Sequence, residues 1–246
     1  MSKTIKVATW NVGQDLRNNE INEDSYKYIK EQIEQNGVDI IAFQEAITES
    51  NNLESLANYI SQNTKLKYNE QISLSPSDMN ENDKMGVAVC SKFKISNNEN
   101  YILENPNLIY KKTETITYWS HDKGFNISEI KELNTIVIGG HCLPFHIFGE
   151  TPLNYKKIYE KLEDKILNMI KTKKNVILLG DFNYTNIFEL FSNLKDKMKC
   201  VYEDENTRKN KQIDYILTTK NIKNDDYKII DTRFDHKLCV AELTIN

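Results

Sequence analysis

The segment Asn175-Val176-Ile177-Leu178-Leu179-Gly180-Asp181-Phe182-Asn183 constrains the fold more than any other part of this chain. Its apolar run, rich in Val, Ile and Leu, reads as a buried strand. The strand stops at a glycine and then presents a carboxylate and a carboxamide two residues apart, which side-chain alternation aims to one side of the strand end. The layout recurs. Thr9-Trp10-Asn11 follows Ile5-Lys6-Val7-Ala8, Gln44-Glu45 follows Asp39-Ile40-Ile41-Ala42-Phe43, and His141 follows Ile136-Val137-Ile138. Ile213-Asp214-Tyr215 carries a carboxylate into another apolar run, and Asp235-His236 stands just before Leu238-Cys239-Val240.

Apolar runs at 5–10, 38–43, 85–90, 135–143, 175–181, 212–218 and 238–245 are short and bounded by polar residues or glycine, so each predicts a strand. Helical periodicity covers Glu23 to Gln35, Leu53 to Ile60, Leu153 to Ile170 and Ile187 to Leu194. Strands alternating with helices predict an α/β core of sheets covered by helices. No linker rich in Pro, Gly or Ser and no repeat divides the chain, so a single domain over residues 1–246 is expected. Residues 70–84 and 91–133 have weak periodicity and several aromatics, and read as loops and edge strands around the mouth of a site.

The formal net charge of -4 argues against a high-affinity, sequence-indifferent nucleic-acid binder with a basic stripe. It is compatible with an enzyme that holds phosphate through metal ions, because acidic ligands lower the net charge while creating a cation site. Cys90, Cys142, Cys200 and Cys239 lack C-x-x-C spacing and read as buried free thiols. The first residues carry no apolar signal region, and no stretch approaches the roughly 18 apolar residues of a membrane span, so a cytoplasmic location is expected, or a secreted one if a signal peptide has been removed.

Taken singly, each polar strand-end residue has an ordinary reading. Glu45 is either solvated or a ligand for a hard cation such as Mg²⁺; Asn11 could form a turn. His141 could be a buried histidine bonded to a carbonyl, or a donor to phosphate. His121 and His146 fall in loops and read as solvent-exposed. Asp214, on a buried strand, needs a partner, and His236 is the natural one. Asp235 and His236 are adjacent, which in extended backbone points them in opposite directions and lets each do separate work. Together, in this order and all at strand ends, the set points to one site.

The combination Gly-Asp-Phe-Asn at 180–183, Ile-Asp-Tyr at 213–215 and Asp-His at 235–236 resembles the endonuclease/exonuclease/phosphatase superfamily of metal-dependent phosphoesterases, over essentially the whole chain. The resemblance implies a deoxyribonuclease I-like four-layer sandwich, two packed mixed β-sheets flanked by helices. It implies that Asn11, Glu45 and Asp235 form the metal site, for Mg²⁺ with Mn²⁺ or Ca²⁺ as alternatives. It further implies that Asp181 and Asn183 orient or deprotonate the attacking water, that Asp214 and His236 form an acid/base dyad, and that His141 is the second histidine of the deoxyribonuclease, sphingomyelinase and inositol-phosphatase branches. Lys123-Gly124 is similar to the Lys-Gly of several of those branches. The exonuclease III branch carries Asn-x-Tyr where this chain has His141-Cys142-Leu143, which speaks against abasic-site repair. The final motif departs from Ser-Asp-His-x-Pro, reading Phe234-Asp235-His236-Lys237-Leu238.

The expected activity is therefore phosphodiester hydrolysis, with nucleic acid as the first substrate class. A lipid or inositol phosphate is the second, for which the apolar loop 143–148 is the candidate contact. A catalytically inactive binding module of the same fold is the third. Lys123 and the basic loop 207–211 are the candidate nucleic-acid contacts.

Overall fold

The computed structural model describes residues 2–18, 20–77, 80, 82–172 and 175–245. The chain begins with β1 (Lys3–Asn11), α1 (Glu23–Asn36), β2 (Ile40–Glu49) and α2 (Leu56–Asn63). There follow β3 (Tyr68–Pro76), β4 (Lys84–Ser91), β5 (Asn97–Ile102), β6 (Ile109–Lys111), β7 (Thr117–Trp119), β8 (Gly124–Ile130) and β9 (Thr135–His141). The last third holds α3 (Lys157–Lys171), β10 (Asn175–Asp181), α4 (Ile187–Leu190), β11 (Met198–Cys200), β12 (Asp214–Thr219), β13 (Lys223–Ile230) and β14 (Leu238–Ile245).

Two six-stranded sheets result, in the orders β13-β14-β1-β2-β4-β3 and β11-β12-β10-β9-β8-β5, with β6 and β7 as a separate hairpin. Each sheet is mixed. β1 runs parallel to β2 and β10 parallel to β9, while their other neighbours are antiparallel. Across the sandwich β1 packs on β10 and β2 on β9, so the C-terminal ends of four central strands meet at one edge.

Alternation along these strands separates three apolar layers. Between the sheets lie Val7, Ala42 and Val89 against Val137, Ile177, Leu179 and Ile216. The outer face of the first sheet buries Trp10, Ile41 and Phe43 against Tyr26, Ile29 and Ile33 of α1 and Ile60 of α2. The outer face of the second buries Ile138, Val176 and Leu178 against Tyr159, Leu162 and Ile166 of α3. Each fully buried Ile or Leu contributes about 1.5–3 kcal/mol relative to exposure. Gly139 lets the sheets close near the site edge: a Cβ there would lie 2.8 Å from Val89 Cγ2 and 2.9 Å from Ala42 Cβ.

Several boundaries differ from the sequence reading. The helix expected over 53–60 starts at Leu56, because Ser55 accepts from Asn58 N as its N-cap. The expected helix over 153–170 opens with a 3₁₀ turn at Pro152–Tyr155, and that over 187–194 breaks into α4 and a 3₁₀ turn at Ser192–Leu194. Residues 91–133 contain an interior strand, β8, whose period is masked by buried polar residues that satisfy one another: Ser128 donates to Asn126 Oδ1 at 2.7 Å and Asn126 to Asn100 Oδ1 at 2.9 Å. β13 is an exposed edge strand carrying Asp225 and Asp226 at a bulge, a charged protection against edge pairing that erases its apolar signal. Within the stretch 70–84, residues 78, 79 and 81 lie outside the described residues. Cys90, Cys142 and Cys239 are buried free thiols, and Cys200 is half-buried. Among the described residues no helix is long and apolar enough to cross a membrane.

Candidate active site

Strand alternation delivers the first three side chains. In β1 the inward residues Ile5 and Val7 lead to Asn11, in β10 Ile177 and Leu179 lead to Asp181, and in β9 Val137 and Gly139 lead to His141. Register sets their neighbours: Asp181 pairs with His141 on one side and with Asp214, the first residue of β12, on the other.

Glu45 arrives differently. The sequence reading places it at a strand end, whereas it lies inside β2. Alternation would turn it to the outer face with Ile41 and Phe43. Instead Glu45 has φ 54° and is the extra residue of a bulge, between Gln44 opposite Val87 and Ala46 opposite Gly86. The bulge re-aims its carboxylate into the site. Gly13 leaves the room: a Cβ there would fall 1.9 Å from Glu45 Oε2. His236 comes from the loop before β14, where its carbonyl accepts from Trp10 Nε1 at 3.3 Å and Thr232 Oγ1 at 2.9 Å.

The groups form a continuous network. Asn11 Nδ2 donates to Glu45 Oε1 and to Asp181 Oδ2, both at 3.1 Å, while Asn11 Oδ1 accepts from Gly13 N at 3.0 Å. His141 Nε2 lies 3.7 Å from Glu45 Oε1 and 3.7 Å from Asp181 Oδ2. His236 Nε2 is also 3.7 Å from Asp181 Oδ2, and its Nδ1 is 3.0 Å from each oxygen of Asp214. Asn183, at φ 51°, gives its own N–H to Asp181 Oδ1 at 2.8 Å and its amide proton to the Cys142 carbonyl at 3.0 Å. Asp235 Oδ2 accepts from Arg208 at 3.0 and 2.8 Å and lies 4.0 Å from His236 Nε2. The adjacent pair Asp235-His236 thus faces one cavity and does not point apart, because the backbone bends there and is not extended.

The electrostatics separate the two histidines. Burial disfavours a charged His236, but Asp214, Asp181 and Asp235 outweigh it and raise its pKa to about 9. Burial lowers the pKa of His141, helped by Lys123, His236 and Arg208. Lys123 Nζ sits 3.3 Å from His141 Nδ1 and Asn183 Nδ2 sits 3.2 Å from His141 Nε2, so each ring nitrogen meets a donor, and Nε2 also looks toward Glu45 and Asp181. Burial and the neighbouring Asp214 raise the Asp181 pKa to about 7, against the opposing pull of His236.

Carboxylates outnumber the available cations. Ligand atoms of Asp181, Asp214 and His236 lie within 4.8 Å of one another, a grouping able to hold a divalent ion. Glu45 and Asp181 offer hard oxygen atoms that meet at the Asn11 amide, which suits a cation that prefers oxygen. The Glu45 side chain is 31% exposed against 2% for Asp181, so it is the side open to ions from solvent.

A cavity of about 260 Å³ gathers Asn11, Glu45, His141 and Asp181 with Asn183, Asp235 and His236. Asp214 stands behind His236, fully buried. The sequence reading did not place Arg208 against Asp235, and no local pattern signals that pair; Tyr118 and Trp119, in the aromatic stretch read as surrounding the mouth of a site, do line the cavity. His121 and His146, expected as solvent-exposed loop residues, both line the cavity, with His146 exposed at its rim and His121 half-buried.

Two mixed sheets between helices, with a buried Asp/His cluster where their central strands converge, define a phosphoesterase fold. A model of the Endonuclease/Exonuclease/phosphatase family matches residues 8–232, and the chain belongs to that family, whose members are in general metal-dependent phosphoesterases. Solved structures agree in fold. An endonuclease/exonuclease/phosphatase family protein from Leptotrichia buccalis superposes with a TM-score of 0.67 at 18% identity, covering 97% of this chain and 99% of that one. The human Nocturnin catalytic domain with bound sulfate gives 0.67 at 17%, covering 99% and 94%. TDP2 from D. rerio complexed with single-strand DNA product gives 0.59 at 14%, covering 98% and 99%. No curated protein shows significant sequence similarity to the chain.

Proposed function

We propose that the protein is a Mg²⁺-dependent phosphodiesterase acting on nucleic acid. The observation that carries this reading is the position of Asp181, a buried carboxylate flanked at 3.7 Å by a neutral and a cationic histidine. Glu45, its carboxylate oriented by Asn11 Nδ2 and with Asp235 lining the same cavity, would hold Mg²⁺, which when bound neutralises phosphate charge and activates the ester toward attack. Asp181, whose proton affinity is matched to neutral pH, accepts the proton of the attacking water, and Asn183 holds the Asp181 carboxylate in line through its N–H. His141, bracketed by Asn183 and Lys123, presents its ring to the cavity beside Asp181, where it can contact a phosphate oxygen. His236, kept protonated by Asp214, donates to the phosphate or to the leaving oxygen.

Support for nucleic acid comes from the cavity walls. Trp119, 58% exposed, offers a ring face on which a base can stack, and Lys123 and Arg208 bring positive charge to the phosphate. The likeness to TDP2, whose structure holds a single-strand DNA product, is in keeping with this reading. A second reading, hydrolysis of a lipid or inositol phosphate, is favoured by the exposed apolar side chains Ile109, Trp119 and Ile147 at and near the cavity mouth. Turnover measured with and without Mg²⁺ on plasmid DNA, RNA, sphingomyelin and inositol phosphates decides between them. Nicking of DNA or RNA is expected; turnover of a lipid or inositol phosphate with nucleic acid left intact would establish the second reading.

A further inference from the structure

A second cavity, of about 610 Å³, adjoins the catalytic one and shares His146, Asn183 and Arg208 with it. Its far wall is the turn Arg208–Lys211, closed by Arg208 N to Lys211 O and Lys211 N to Arg208 O, both at 3.1 Å. The turn is tied to the catalytic dyad, because Thr207 Oγ1 accepts from the N–H groups of Ile213 and Asp214, both at 3.1 Å. Lys209 adopts φ 50°, a conformation that glycine or asparagine takes with less strain. Such strain is retained where the surrounding structure enforces it, and it clusters at functional sites.

The charge of this wall is not neutralised. Lys209 and Lys211 are exposed, and among the described residues neither pairs with a carboxylate. Across the cavity, burial lowers the His146 pKa, and the nearby charges of Lys211 and Arg208 lower it further. Glu150 is the acidic side chain on the wall, and it is engaged by Asn154 Nδ2 at 3.1 Å. Arg208, the third cation of the turn, is held by Asp235, so the positive charge left without a carboxylate is that of Lys209 and Lys211, a local feature in a chain with net charge -4. It lies in the cavity that adjoins the catalytic one.

We infer that this cavity is a subsite for a second phosphate group of the substrate, held by Lys209 and Lys211 while the first phosphate is cleaved. The inference rests on the phosphodiesterase reading of the catalytic cavity and deepens it: the substrate carries at least two phosphates in sequence, as a nucleic-acid strand does and as a bisphosphorylated inositol also does.

The test is a ratio. With Mg²⁺ present, kcat/KM is measured on a dinucleotide with a single phosphodiester and on the same dinucleotide bearing a 5′- or 3′-terminal phosphate. One of the two terminal phosphates is expected to raise kcat/KM about tenfold to a hundredfold, mostly through KM, in line with charge-assisted contacts. In Lys209→Gln/Lys211→Gln the ratio is expected to fall to about one. A ratio that persists in the double variant, or a ratio near one for both ends in the unaltered protein with no gain on an inositol bisphosphate either, would overturn the subsite. A parallel arm compares an inositol monophosphate with a bisphosphate; a gain there and none with nucleotides would keep the subsite and assign its second phosphate to an inositol substrate. Should no phosphodiester be turned over, the functional reading fails separately, and calorimetric binding of the same dinucleotides judges the subsite: tighter binding of the phosphorylated form that is lost in the double variant supports it, and equal binding overturns it.

Discussion

Both carboxylate oxygens of Asp214 lie 3.0 Å from Nδ1 of His236, and Asp214 is fully buried behind the ring. A carboxylate so placed fixes which nitrogen of the imidazole faces the cavity and stabilises the ring's positive charge. His236→Ala and Asp214→Asn are each expected to lower kcat by about 10²- to 10⁴-fold. The double variant is expected to be little worse than the worse single one, because residues that act as a unit are not additive. Steady-state kinetics of the three variants on one substrate check this; losses that multiply would separate the two residues.

The same pair makes stability depend on pH. The folded pKa of His236 is raised to about 9, above the roughly 6.5 of an unperturbed histidine. Its contribution is therefore complete below the unfolded value and is lost as pH rises through the folded one. Urea midpoints measured in chelator should fall between pH 7.5 and about 9.5, and the fall should be smaller in His236→Asn. Equal slopes for the two proteins in that window would mean that the ring is neutral in the folded state.

Glu45 depends on a bulge and on the missing side chain of Gly13. Glu45→Gln keeps the shape and removes the ligand charge, so Mg²⁺-dependent activity should disappear while the thermal midpoint without metal stays within a few degrees. Gly13→Ala should act on the same group by displacement, since its Cβ would meet Glu45 Oε2 at 1.9 Å. A misplacement of about 1 Å can cost on the order of 10²-fold in rate. Full activity of Gly13→Ala, or a Glu45→Gln protein active at low Mg²⁺, would remove Glu45 from the metal site.

Nucleic-acid hydrolysis should weaken between low and moderate salt, with a shallow slope. The phosphate contacts available are few, chiefly Lys123, Arg208 and the turn at 209–211, and the slope of counterion release scales with the number of phosphates neutralised. The measurement is kcat/KM on a single-stranded oligonucleotide across a salt series. A flat profile would place the binding energy in stacking on Trp119, and not in charge.

Much of this site was legible before any coordinates. Asn11, His141 and Asp181 end apolar strands of regular alternation, and alternation is a local property that survives in the sequence. Asp214 in a buried run demanded a partner, and His236 occupies that place at 3.0 Å. Helix boundaries were less legible, because caps such as Ser55 and 3₁₀ turns such as Pro152–Tyr155 depend on how a segment meets its neighbours.

The sequence by itself determined the layered α/β architecture and the identity of the groups that converge, since burial and period are written in the order of apolar and polar residues. Only the tertiary structure decided how Glu45 enters the site, through a bulge against β4 that reverses its expected face. The tertiary structure also decided that Arg208 holds Asp235, that Lys123 and Asn183 bracket the two ring nitrogens of His141, and that the hairpin of β6 and β7 brings Trp119 to the cavity wall. The physical reason is range: a positive φ, an ion pair and a cavity wall are set by contacts between residues far apart in the chain, which no local period encodes.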